Sequence, residues 1–74
     1  MITQKDLKEY QFSGIVQYFD YVLESIVNGQ RKQARDLVSR MSQRQRNQFA
    51  MYLENECEYH HTHIDEAKQI IFNQ

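Results

Sequence analysis

Apolar residues in the first third of the chain return at three- and four-residue steps. Phe12, Ile15, Val16, Phe19, Val22, Leu23, Ile26 and Val27 form one set. At ~100° per residue they make a stripe about 140° wide, the width a core-facing helix needs. A second set, Leu7, Tyr10, Gly14, Tyr18 and Tyr21, recurs at similar steps and falls on another side of the same wheel. A helix with one buried face needs one such stripe, so the second asks for a further surface to cover it.

Thr3 followed by Asp6 sets an N-cap with an acid in the first turn, where free amides and the helix dipole favour negative charge. The first helix is therefore expected to start near Gln4. It runs, continuous or slightly kinked at Ser13-Gly14, to Asn28-Gly29, where glycine can take the left-handed cap. A break near Gly14 is the alternative, because Lys5 and Lys8 would otherwise sit on the apolar side. The next element spans roughly Gln30 to Met41, with Ala34, Leu37, Val38 and Met41 on one face. Ser42 with Gln45 three residues on reads as a capping box opening a third helix. Its core stripe is Phe49, Ala50, Leu53 and Cys57, flanked by Tyr52 and Tyr59, while Met51 points away. His60-His61-Thr62-His63 makes a junction, and Ile64, Ala67, Ile70 and Ile71 mark a short C-terminal helix.

The expected fold is all-α: one domain over residues 1–74, a small three- to four-helix bundle with a long N-terminal helix and short antiparallel helical hairpins. Zero prolines and two glycines argue against an all-β chain, which needs turn residues at short intervals. A chain of 74 residues yields only a few kcal/mol of net core stability, so a partner subunit would help it. The single cysteine, Cys57, excludes a disulfide within the chain. With no targeting segment and no apolar run of membrane-spanning length, a cytoplasmic location and no membrane partner are expected.

The net charge of −1 hides a segregation. Residues 28–48 hold Arg31, Lys32, Arg35, Arg40, Arg44 and Arg46 against a lone Asp36; residues 50–66 hold Glu54, Glu56, Glu58, Asp65 and Glu66. Such a dipolar chain can steer a partner or pair head to tail with a second copy.

Three surfaces are candidates for function. The Leu7, Tyr10, Gly14, Tyr18 and Tyr21 face is expected to be an interface, because tyrosine offers large apolar area with few rotatable bonds and a hydroxyl that tolerates water. Coverage of that face within the chain is the alternative. The basic corner, Arg31, Lys32, Arg35, Arg40, Arg44 and Arg46, suits phosphates or an acidic protein groove. It matches a DNA-binding helix-turn-helix poorly: its turn lacks glycine, and Arg44 and Asn47 stand where buried aliphatics belong. A solvated face with a Lys32–Asp36 pair is the plainer reading of it. The third candidate is Cys57 with His60 and His63, beside His61 and several carboxylates. Its spacing fits no standard zinc pattern, so neither metal nor other cofactor is expected. No phosphate-cradling loop or nucleophile–base ordering stands out, so an enzyme is not expected.

These features predict a non-enzymatic protein–protein interaction module and homodimer. It would be a phage- or plasmid-type accessory protein that inhibits or adapts a larger host protein by steric occlusion. The alternative is a dimeric nucleic-acid-binding regulator using the arginine hairpin.

Overall fold

The computed structural model describes residues 1–73, and among them the chain is helical without strands. Five helices follow in order: α1 Gln4–Glu9, α2 Ile15–Val27, α3 Arg31–Ser39, α4 Gln43–Asn55 and α5 His61–Phe72. None of them is long and apolar enough to cross a membrane.

The expected long N-terminal helix is two helices, and the break falls at Gln11 rather than Gly14. Gln11 sits at φ 62, in the left-handed region. Its amide donates to Lys8 O at 2.9 Å, and the Phe12 amide to Leu7 O at 2.8 Å. That pair of bonds is a Schellman ending, built with glutamine where glycine is usual. Gly14, by contrast, is extended at φ −171 and serves as the N-cap of α2. The end of α2 repeats the motif with the expected residue: Gly29 has φ 76, its amide donates to Ile26 O at 3.0 Å, and Gln30 N donates to Ser25 O at 2.8 Å.

The two endings give a paired prediction. Gly29→Ala forces a Cβ into the left-handed region and is expected to cost about 1 kcal/mol. Gln11→Gly relieves the same strain and is expected to be neutral or to stabilise by up to about 1 kcal/mol, offset by backbone entropy. Thermal melts resolve both, since ~1 kcal/mol moves the midpoint of a domain this size by about 4–8 °C.

Both capping boxes form. Thr3 accepts from Asp6 N while Asp6 accepts from Thr3 N, and Ser42 and Gln45 do the same at the start of α4. Gln45 does more than close its box. Its Oε1 also accepts from Ile2 N at 2.9 Å, and its Nε2 donates to Ile2 O at 2.7 Å. One side-chain amide thus ties the N-terminal segment to α4 and satisfies both backbone groups of buried Ile2.

Helix α2 is the centre of the molecule and packs against α3 and α5, which also pack on each other; α4 packs against α5. It buries Tyr18, Phe19, Val22, Leu23, Ser25 and Ile26. Ala34, Leu37 and Val38 from α3, Phe49 and Leu53 from α4, Ala67 and Ile71 from α5, and Leu7 from α1 complete one contiguous core with Ile2 and Met41. A helix surrounded in this way buries more than one side, which accounts for Tyr18 being buried beside the Phe19, Val22, Leu23 and Ile26 stripe. Helix α5 begins three residues earlier than the apolar pattern marks, because His60 acts as N-cap and its Nδ1 accepts from Thr62 N at 3.2 Å.

Candidate interaction surface

The tyrosine face is inside the molecule at Leu7 and Tyr18 and partly exposed at Tyr10 and Tyr21. Leu7 and Tyr18 are buried, and Tyr10 and Tyr21 are half-buried against the core. Tyr10 meets Tyr18 edge-on at 5.8 Å between ring centres, stacks on Phe12 at 5.3 Å and lies 6.0 Å from Tyr21. The Tyr18 hydroxyl donates to Leu37 O at 2.7 Å. Gln33 of α3 spans the other side, donating to Ser25 Oγ at 2.9 Å and Tyr21 Oη at 3.3 Å. The turn at Gln11 sets Tyr10 and Phe12 against Tyr18 and Tyr21, and α3 packs on the other side. The expectation of an intermolecular face is thereby corrected for Leu7 and Tyr18, which are covered within the chain. Gly14 has no neighbour within 4 Å of where a Cβ would stand.

The basic corner is partly neutralised from within. Arg31 Nη2 pairs with Glu66 Oε1 at 2.8 Å across α3 and α5. Arg40, rather than Lys32, takes Asp36 at 3.1 Å, and its other Nη lies 3.4 Å from Tyr10 Oη. Arg46 turns back to donate to Met41 O at 2.8 Å and Gln43 Oε1 at 3.2 Å. Lys32 and Arg44 are exposed, with no ion pair among the described residues. These pairings divide the cations among separate tasks instead of concentrating them.

Two carboxylates contribute to the acid response of the fold. Asp6 is held below the ordinary carboxylate range, first by the hydrogen bond from the Thr3 amide; Glu66 is held low chiefly by the bond from Arg31. Unfolded, both titrate in the ordinary range, so there the unfolded chain binds more protons than the folded one. Their stabilisation is complete above that range and is lost as pH falls through the depressed folded values. Melting temperature is expected to drop from about pH 5 to about pH 3, and less steeply in Asp6→Asn.

Cys57 is a half-buried free thiol packed against the core. His60 is committed to capping α5, with the His61 ring 4.2 Å and the His63 ring 6.2 Å away. Among the described residues no group of three or more His, Cys, Asp or Glu is placed to hold a metal ion. His63 Nδ1 and Glu66 Oε2, one turn apart on α5, are buried without a hydrogen-bond partner.

A surface the sequence analysis did not identify lies between α2 and α4. Ile15, Val16, Phe19, Gln48, Met51, Tyr52, Asn55 and Glu56 line a groove of roughly 360 Å³. Its floor is Phe19, stacked on Phe49 at 4.8 Å and 18°. One wall is held by Tyr52, whose hydroxyl donates to Asp20 Oδ1 at 2.6 Å and so bridges α4 to α2. Burial, and then that bond, push the Tyr52 hydroxyl well above the ordinary tyrosine range. Val16 is 44% exposed and Met51 66% exposed, both large apolar groups in water on the molecule's outside. The signal in the sequence was Met51, an apolar residue alone on the outer face of its helix. Comparison with protein-family models, curated proteins and solved structures returns no match.

Proposed function

We propose that the protein is a non-enzymatic protein–protein interaction module whose working surface is the α2–α4 groove. The observation that carries this reading is Val16 and Met51 standing exposed at the edge of an apolar floor. An open apolar recess with flexible methionine beside it adapts to a partner's side chains. Its polar members, Gln48, Asn55 and Glu56, contain no nucleophile–base pair, so the groove suits occupation rather than chemistry. Covering or bridging protein surfaces is the action available to it, in the manner of a phage- or plasmid-type accessory protein that inhibits or adapts a larger one. The division of Arg31, Arg40 and Arg46 among internal partners gives the nucleic-acid reading no comparable support.

Met51→Glu tests the proposal. The side chain is exposed, so the melting temperature is expected to stay within a few degrees of the parent. Every association made through the groove, with a copy of itself or with another protein, is expected to be lost, and high salt is expected to leave the apolar part of it intact. Associations that survive Met51→Glu unchanged would overturn the reading.

A further inference from the structure

We infer that the groove's occupant is a second copy of this chain, docked with the two α4 helices antiparallel about a two-fold axis beside Met51. The inference rests on the interaction reading above and names its partner.

The outer face of α4 carries Arg44, Gln48, Met51 and Asn55. Their spacing of four, three and four is that of a helix–helix seam, in which side chains of one helix fit between those of its neighbour. The last three line the groove, and Arg44 is exposed one turn before them. An antiparallel partner of identical sequence sets Gln48 against the other copy's Met51, and Arg44 against the other copy's Asn55 and Glu56. Each Met51 then reaches the apolar recess over Phe19 and Tyr52 of the other protomer.

Charge selects this alignment. Arg44 stands near the N-terminal end of this face, and Glu56, the C-cap of α4, lines the groove just past its C-terminal end, with Met51 close to midway between them. Arg46 is already turned onto Met41 O, and Glu54 already takes Lys68 at 3.3 Å. Arg44 and Glu56 are exposed and have no ion pair among the described residues. A two-fold axis brings them together twice, whereas a parallel arrangement would put like over like. Polar Gln48 and Asn55 in the seam lower its apolar content and fix its register. A foreign helix would have no reason to share this internal antisymmetry.

Light scattering over a range of concentrations, with Arg44→Glu, Glu56→Arg and the double variant, tests the inference. All the changed side chains are exposed, and circular dichroism verifies that each variant folds. The parent chain is expected to pass from monomer to dimer as concentration rises. Each single variant is expected to dimerise about tenfold more weakly or worse, because two like-charge contacts replace two attractive ones. Mixing the two single variants is expected to restore a dimer, as is the double variant, since both recreate opposite charges at each end. A parent that stays monomeric throughout, or single variants that dimerise like it, would overturn the inference. A dimer that forms but ignores the charge exchange would also overturn it. A monomeric parent that binds a foreign protein in a Met51-dependent way would sink the self-pairing and leave the interaction module standing.

Discussion

Tyr18→Ala is expected to remove about 3–5 kcal/mol of folding free energy, as aromatic truncations in cores do. A domain of 74 residues holds only about 4–11 kcal/mol in total, so this variant sits at the edge of having no folded state. The size of the effect follows from where the ring stands. Tyr18 is fully buried, edge-on to Tyr10 of the α1 turn, with its hydroxyl on Leu37 O at 2.7 Å. The next amide that could have served that carbonyl, Met41 N, goes to Val38 O instead, so the tyrosine completes the end of α3. Tyr18→Phe keeps the ring and orphans the carbonyl, for an expected loss of about 1–3 kcal/mol. Urea unfolding followed by circular dichroism separates the two variants. Burial also raises the Tyr18 hydroxyl far above the ordinary tyrosine range. Its contribution is therefore whole at neutral pH and drains away in alkali, where the unfolded chain releases the proton first. A Tyr18→Ala chain that unfolds at the parent's urea midpoint would return Tyr18 to the surface.

Phe49→Ala is expected to cost a similar amount, about 3–5 kcal/mol, from the opposite flank of α2. Phe49 is fully buried and stacks on Phe19, which in turn lies 5.7 Å from Tyr52. Removing it takes the support from beneath the α2–α4 groove as well as from the core. Phe49→Leu, which retains most of the volume, is expected to lose about 1–1.5 kcal/mol and to keep the groove's shape. If both variants unfolded at the parent's denaturant midpoint, the stacked pair would not be holding α4 to α2.

The elements that were legible in the sequence are those set by short-range chemistry. Thr3 with Asp6, Ser42 with Gln45, and Asn28-Gly29 each announce a helix end through side chains that meet free amides or tolerate a left-handed turn. The Ala34–Leu37–Val38–Met41 and Phe49–Leu53 stripes are buried as their spacing implies, and Met51 is exposed as its position implies. What was not legible depends on partners distant in the chain. Nothing about Gln11 advertises a left-handed residue, and a single wheel drawn through it sets Leu7 and Tyr10 on one helix face with Tyr18 and Tyr21 of α2. The hold of Gln45 on Ile2 spans 43 residues and leaves no local pattern. The groove exists only because α2 and α4 come side by side over Phe19, which neither helix reveals alone.

The Gln45–Ile2 clamp bears on the order in which the molecule comes apart. Helix α1 has six residues, too few to persist alone, and is kept in place by Ile2, Leu7, Tyr10 and that one amide. The segment can therefore lift as a unit while α2, α3 and α5 stay packed, at a free energy below that of global unfolding. Amide protons of residues 4–9 should then exchange with solvent faster than those of α2. In the same brief openings Tyr10 leaves Tyr18, and a ring that the folded molecule keeps fully covered is in water for a small fraction of the time.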